Sequence, residues 1–141
     1  MGSPPFFKRK KFVYYSMTSD LKGNSAQAKS RQITTMDEEF LLVLTTCPDP
    51  ESARRLATKA VMAKLAACVN QLPGVNSFYS WEGKLQQTVE IMLLFKTRRP
   101  AYEALEALLQ DEHPYELPEI IAVPINHGSP GYLKWIEDNT T

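Results

Sequence analysis

Hydrophobic and polar residues alternate along the chain in blocks that predict strands and helices in turn. Residues 39–47 predict a strand, because the short apolar run 40–44 is followed by the β-branched residues Thr45 and Thr46. Asp49 can cap a following helix, and Pro50 suits its first position. Apolar residues then recur every three or four positions, as a helix packed on one side requires. They are Ala53, Leu56, Ala57, Ala60, Val61 and Leu65.

The next part of the chain predicts a hairpin. Residues 67–75 and 77–81 are extended in pattern, with an interruption at Pro73-Gly74. The sequence Glu82-Gly83-Lys84 predicts a turn, and residues 88–96 return as the second arm.

The remainder predicts a second helix, a strand and a short helix. Pro100 can begin the second helix, and His113 ends it because a residue that precedes proline disfavours the helical conformation. Residues 119–125 predict the last strand, and residues 132–137 a short C-terminal helix.

The resulting order, β-α-β-β-α-β, predicts an α+β domain of the ferredoxin-like type, with an antiparallel sheet and both main helices on one face. A sheet with one open face normally alternates apolar and polar residues. Here three strands are apolar on both faces, as in the runs 40–44, 91–95 and 120–125. We therefore expect neighbouring subunits to cover the second face in a closed homo-oligomer.

Charge divides the chain into two parts. The formal net charge is zero, but residues 1–36 carry seven basic residues and one acidic residue, whereas residues 37–141 carry nine basic and fifteen acidic residues. An acidic domain disfavours nucleic-acid binding and is compatible with attracting metal cations. No apolar run reaches membrane-spanning length, and no signal-peptide pattern follows the basic start. We expect a cytoplasmic protein with no membrane or nucleic-acid partner.

Residues 1–36 read as a tail outside the domain at 37–141. Their polar composition is typical of a disordered segment. The basic stretch at 8–11, flanked by aromatic residues, could contact a membrane surface or nucleic acid. Alternatively, the tail is derived from a vector or from an over-extended start, and this second interpretation is the one that we favour.

The predicted topology brings candidate chemistry to one end of the domain. Cys47 ends the first strand, and Glu112 and His113 end the second helix, so all three lie at the same end. Thiolate, imidazole and carboxylate groups are ligands for copper or zinc. Alternatively, Cys47 is a small buried hydrophobe and His113 binds the last carbonyls of its helix. An enzyme with Cys47 as nucleophile and His113 as base lacks a recognisable orienting group, so we expect no enzyme.

Several motifs, in order, resemble those of the CutA divalent-cation tolerance family. They are Thr45-Thr46-Cys47-Pro48-Asp49, Leu65-Ala66-Ala67-Cys68-Val69-Asn70, Tyr79-Ser80-Trp81-Glu82-Gly83-Lys84, Phe95-Lys96-Thr97, His113-Pro114-Tyr115-Glu116-Leu117-Pro118-Glu119-Ile120 and Tyr132-Leu133-Lys134-Trp135-Ile136. The resemblance implies a homotrimer related in shape to the PII signalling proteins, with hairpins that pair across subunits. It also implies a cytoplasmic role in tolerance of copper and other divalent ions, without an organic cofactor.

The resemblance also implies candidate sites. Copper in some family members is bound by a cysteine and two adjacent histidines, and the matching positions here are Thr45, Glu112 and His113. Only the histidine is retained, and Cys47, on the same strand face as Thr45, is the candidate replacement for the thiol. We therefore expect weak divalent-ion binding near subunit boundaries. The alternative is a PII-like regulator that binds a small organic ligand or a protein in the inter-subunit cleft. Its candidate residues are Tyr79, Trp81, Lys96, Tyr115, Glu116 and Glu119.

Overall fold

The computed structural model describes residues 39–141, which form a four-stranded antiparallel sheet and three helices. The elements are β1 (Phe40–Cys47), α1 (Pro50–Met62), β2 (Cys68–Trp81), β3 (Lys84–Arg98), α2 (Arg99–Glu112), β4 (Ile121–Pro124) and α3 (Pro130–Asp138). This is the predicted order of strands and helices, followed by the predicted short helix. The tail predicted at residues 1–36 lies outside the described residues.

The sheet has the strand order β2-β3-β1-β4, and every neighbouring pair is antiparallel. A ferredoxin-like plan fits this arrangement broadly. The strand β4 is shorter than the 119–125 that the sequence predicts. It runs from Ile121 to Pro124, and the Ile125 N–H still donates to the Phe40 carbonyl oxygen at 2.9 Å just beyond it.

Helix α1 begins at the predicted Pro50, and α2 begins at Arg99, one residue before the predicted Pro100. The Asp49 carboxylate accepts a hydrogen bond from the Ser52 N–H at 2.7 Å, and Pro50 begins α1. These interactions satisfy one of the donors that a helix start leaves without a partner. Helices α1 and α2 then bury their apolar stripes against β1 and β3. The fully buried residues of this core include Leu56, Leu105 and Leu109 of the helices and Leu93 and Phe95 of β3.

The hairpin of β2 and β3 is longer than the rest of the sheet. The strand β1 pairs with β3 only between Ile91 and Arg98, so residues 84–90 of β3 pair with β2 alone. The predicted interruption at Pro73-Gly74 is a bulge within one continuous strand, where the register shifts between Leu72 and Val75. Gly74 has a φ of +73°, which glycine adopts without strain. The outer part of the hairpin is therefore a two-stranded ribbon that projects from the sheet.

The second face of the sheet is apolar, as predicted, and only partly covered. Leu42 and Leu44, which alternate with the buried core residues of β1, remain partly exposed. On β4, Ile121 and Val123 are 51% and 46% exposed. At the C-terminal end of the chain, α3 packs against β3. Within residues 39–141, no helix has the length and apolar character needed to cross a membrane.

Candidate functional site

The end of β1 and the end of α2 bring two of the predicted site residues together. Cys47 is the last residue of β1, and His113 follows α2, which stops there because Pro114 comes next. The Cys47 Sγ lies 3.8 Å from the His113 Nε2. Cys47 has no exposed surface, and His113 is 8% exposed. The two side chains therefore share one buried site, at the end of the domain that the topology predicts.

Both ring nitrogens of His113 already have partners. The backbone N–H of Tyr115 donates to Nδ1 at 2.9 Å, and Nε2 lies 2.8 Å from the Thr46 carbonyl oxygen. A backbone N–H can only donate, and a carbonyl oxygen can only accept. These partners assign the neutral tautomer in which Nε2 carries the hydrogen. The imidazole thus joins the loop after α2 to the end of β1.

Burial keeps the thiol and the imidazole uncharged. It raises the pKa of Cys47 to about 12, and the nearby Asp49 and Glu90 carboxylates add to this effect. Burial also lowers the pKa of His113, although its bond to Thr46 and the charge of Glu90 oppose the shift. At neutral pH the pair is therefore a thiol beside a neutral imidazole. This is the opposite of the thiolate that a cysteine nucleophile requires.

Glu112 and Thr45 do not join this pair. The Glu112 carboxylate forms an ion pair with Lys59 of α1 at 2.7 Å, and its hydrogen bond with Lys59 lowers the pKa of Glu112. Thr45 is completely buried, on the core face of β1. Its Oγ1 is the one fully buried side-chain polar atom without a hydrogen-bond partner among residues 39–141. The four residues predicted as a metal site therefore lie near the same end without converging on one point.

This arrangement fits a resident copper centre poorly. A histidine ligand must offer a free nitrogen lone pair, and a cysteine ligand must be deprotonated. In His113 the lone pair of Nδ1 is occupied by Tyr115, and Cys47 is held as a thiol. Within the part of the chain that the structure describes, no three His, Cys, Asp or Glu side chains gather as a metal cluster. Binding through His113 would require the ring to give up one of its hydrogen bonds.

A buried carboxylate that the sequence analysis did not select lies beside this site. Glu90 is 7% exposed, and its Oε2 accepts a hydrogen bond from the Tyr115 hydroxyl at 2.8 Å. Burial, followed by this bond, raises the pKa of Tyr115. One signal could have identified Glu90, because it is the one acidic residue in the apolar segment 89–95. An acidic residue in such a segment is seldom buried without a partner.

The other cleft candidates are spread over one protomer. The Tyr79 hydroxyl lies 3.1 Å from the Thr88 Oγ1, on the ribbon. The Lys96 ammonium contacts the side-chain Oδ1 of Asn70 and lies 3.8 Å from the Cys68 Sγ, at the opposite end of the sheet from Tyr115. The remaining candidates are Trp81, which is half-buried, and Glu116 and Glu119, which are exposed. A single protomer therefore does not bring these six side chains into one cleft.

The fold and the site define a small α+β protein with a buried pair, Cys47 and His113, at one end of its sheet. The sequence profile of the CutA1 divalent ion tolerance protein family matches residues 41–139. The chain therefore belongs to the CutA family, which is named for divalent-cation tolerance and not for a catalysed reaction.

Similar proteins occur in bacteria and plants. The divalent-cation tolerance protein CutA of Citrobacter koseri is 44% identical over 98 residues, which are 70% of this chain and 85% of that protein. The protein named CutA 1, chloroplastic, of Oryza sativa is 37% identical over 130 residues, which are 92% of this chain and 73% of that protein. The crystal structure of CutA1 from Shewanella sp. SIB1 is 46% identical, with a TM-score of 0.71, over 74% of this chain and 97% of that one.

Proposed function

We propose that this chain acts in the tolerance of divalent cations as a homotrimer. Family membership supports the cellular role, and the shape of the protomer supports assembly. The observation that carries the assembly is the projecting ribbon, because an isolated two-stranded hairpin is only marginally stable in water. Phe78, Leu85 and Val89 of the ribbon are 62%, 77% and 62% exposed. A second copy that packs on the ribbon and on the open sheet face would bury these side chains.

Multi-angle light scattering tests the assembly directly. The expected mass is three times the 16.0 kDa of one chain. Val123→Asp should shift the mass toward one chain, because it places a charge on the open face of the sheet. Val61→Asp is the matched control, since Val61 is 40% exposed but lies on α1, on the helical side. Circular dichroism should show that both variants are folded. A wild-type mass equal to one chain at micromolar concentration would contradict the proposal.

Weak binding of copper or another divalent ion near subunit boundaries is the second part of the proposal. The His113 imidazole could bind an ion only by exchanging its bond with Tyr115 or Thr46 for the metal, and this cost supports weak rather than tight binding. Calorimetry with Cu²⁺ should show uptake by the wild type and by His127→Gln, and a clear loss in His113→Gln. Equal uptake by all three proteins would remove His113 from the site.

A PII-like regulatory module is a second candidate function. The buried bond between Tyr115 and Glu90, next to the ribbon that carries Tyr79, supports a polar recognition site near the subunit boundary. Thermal shifts measured in parallel against divalent metals and small metabolites would separate the two functions, because a ligand that binds only the native state raises the melting temperature. A shift with metabolites alone would favour the regulatory module.

We also propose a cytoplasmic location. A fluorescent fusion of the full chain, compared with one that lacks residues 1–36, tests this proposal. The expected result is the same diffuse cytoplasmic signal for both fusions. Organellar or membrane signal that depends on residues 1–36 would contradict it.

A further inference from the structure

Glu90 is a buried acidic residue whose hydrogen-bond donor, the Tyr115 hydroxyl, is uncharged. Its side chain is 7% exposed, and the Tyr115 hydroxyl donates to Oε2. The ion pairs that Lys59, Arg98 and Lys134 form within residues 39–141 go to acids other than Glu90. Within the described residues the carboxylate thus has one neutral donor and no cationic partner.

Such an environment is costly for a carboxylate. Removal of a charged group from water is unfavourable unless the group is paired and hydrogen-bonded. A tyrosine hydroxyl satisfies one oxygen and leaves the charge uncompensated. An apolar residue at position 90 would fit the surrounding strand, because the five residues after Glu90 are all apolar. The presence of an acid at this position therefore suggests a cationic partner other than residues 39–141 of the same protomer.

The position of Glu90 indicates where that partner comes from. Ile91 pairs with Cys47 at the last rung shared with β1, and Glu90, the next residue, pairs only with Val75 of β2. Glu90 is therefore the first residue of the ribbon beyond the four-stranded sheet. The exposed apolar residues Val89, Phe78 and Leu85 lie on this same ribbon. A protein that buries the ribbon must also approach Glu90.

We propose that a lysine or arginine of a neighbouring copy pairs with Glu90 in the assembled protein, so that the Glu90–Tyr115 site is incomplete in a single subunit. This inference rests on the homotrimer proposed above. The pair fixes how the ribbon of one subunit is seated against the next, because a buried ion pair tolerates little displacement. It is a positioning contact for the assembly.

The test is Glu90→Gln in the full chain. Glutamine has nearly the same shape and retains an oxygen that can accept from the Tyr115 hydroxyl, so that only the charge is lost. Glu103→Gln is the control, because Glu103 is exposed on α2 and its change removes the same charge. Sedimentation over a dilution series should show subunit dissociation at a concentration at least about tenfold higher for Glu90→Gln than for the wild type or the control.

Salt and chelator measurements make the result specific. Loss of an ion pair should also make the dissociation of Glu90→Gln less sensitive to salt than that of the wild type. Equal dissociation and equal salt dependence for wild type and Glu90→Gln would overturn the ion pair but leave the homotrimer in place. A monomeric wild type would overturn the homotrimer itself. If EDTA weakened the wild-type assembly as much as the substitution does, the partner of Glu90 would be a metal cation, and the proposal would be wrong.

Discussion

The backbone N–H of Tyr115 donates to the Nδ1 of His113, its neighbour but one in the chain, at 2.9 Å. This bond turns the other ring nitrogen toward the Thr46 carbonyl oxygen, 2.8 Å away. The hydroxyl of the same Tyr115 donates a hydrogen bond to the Glu90 carboxylate. The His113 imidazole therefore joins the loop after α2 to β1, and the Tyr115 hydroxyl joins the same loop to Glu90 of β3.

Replacement of His113 should destabilise the folded protein. In His113→Ala, the Thr46 carbonyl and the Tyr115 N–H lose their partner in a buried site, and the cost should be about 2–4 kcal/mol. Urea unfolding at a fixed protein concentration measures this change. His127→Ala is the matched control, since His127 is exposed, and its effect should stay within about 0.5 kcal/mol. A similar small effect for His113→Ala would contradict the structural role.

The same histidine should make stability depend on pH. Burial lowers the pKa of folded His113 below its usual 6.5, so the unfolded chain binds the proton more readily. Its contribution to stability is therefore complete above about pH 6.5 and is lost as the pH falls through that value toward the folded pKa. Unfolding free energies measured from pH 8 to pH 5 should decline in the wild type, and the decline should be shallower in His113→Gln. Parallel slopes in the two proteins would assign the pH dependence to other groups.

The two cysteines should differ in reactivity. Cys47 is completely buried and its pKa is raised to about 12, so it should not react with a thiol reagent at pH 8 while the protein is folded. Cys68 is half-buried at the start of β2 and should react first. Mass spectrometry after timed alkylation, with and without denaturant, measures the order. Early labelling of Cys47 in the folded protein would contradict the buried site.

Arg98 should stabilise the domain, because it contacts residues near both the first and the last described positions. Its guanidinium binds the Glu39 carboxylate at 3.0 Å and the Thr140 hydroxyl at 2.9 Å, and its side chain is 14% exposed. Arg98→Ala should lower the unfolding free energy by about 1–3 kcal/mol. Lys134→Ala is the control, because its ion pairs lie on the surface of α3 and such pairs contribute about 0–1 kcal/mol. Equal effects of the two changes on chemical unfolding would show that the Arg98 contacts are not stabilising.

Removal of residues 1–36 should leave the assembly intact. The buried core that the structure describes lies entirely between Leu41 and Ile136. Light scattering on the shortened chain should give three times its own mass, with a melting temperature close to that of the full chain. A change in assembly would show that the basic segment takes part in it.

The sequence predicted the elements well because their determinants are local. Asp49 and Pro50 begin α1, Pro114 ends α2, and the glycine at position 83 allows the hairpin turn with a φ of +75°. These residues act on their immediate neighbours, so a pattern along the chain is sufficient to find them.

The site was less predictable because its partners are distant in sequence. His113 was identified as a candidate ligand, yet its ring nitrogens are occupied by Thr46, 67 residues away, and by Tyr115. In the sequence Glu90 is a single polar residue within a strand. Only the fold brings Tyr115, 25 residues later, into contact with it. Side-chain type and spacing show which groups can bind a metal. They do not show which of those groups already have a hydrogen-bond partner.

Because the ribbon projects from the sheet, protease cleavage of the hairpin should depend on protein concentration. Residues 75–90 do not pair with β1 or β4, so in the proposed homotrimer their order would depend on contacts that dilution removes. A protease that cuts within this segment should therefore act quickly on dilute protein and slowly on concentrated protein. Cleavage of the hairpin would then distinguish unassembled from assembled molecules, because a newly synthesised chain would expose a cleavable strand until it binds other copies.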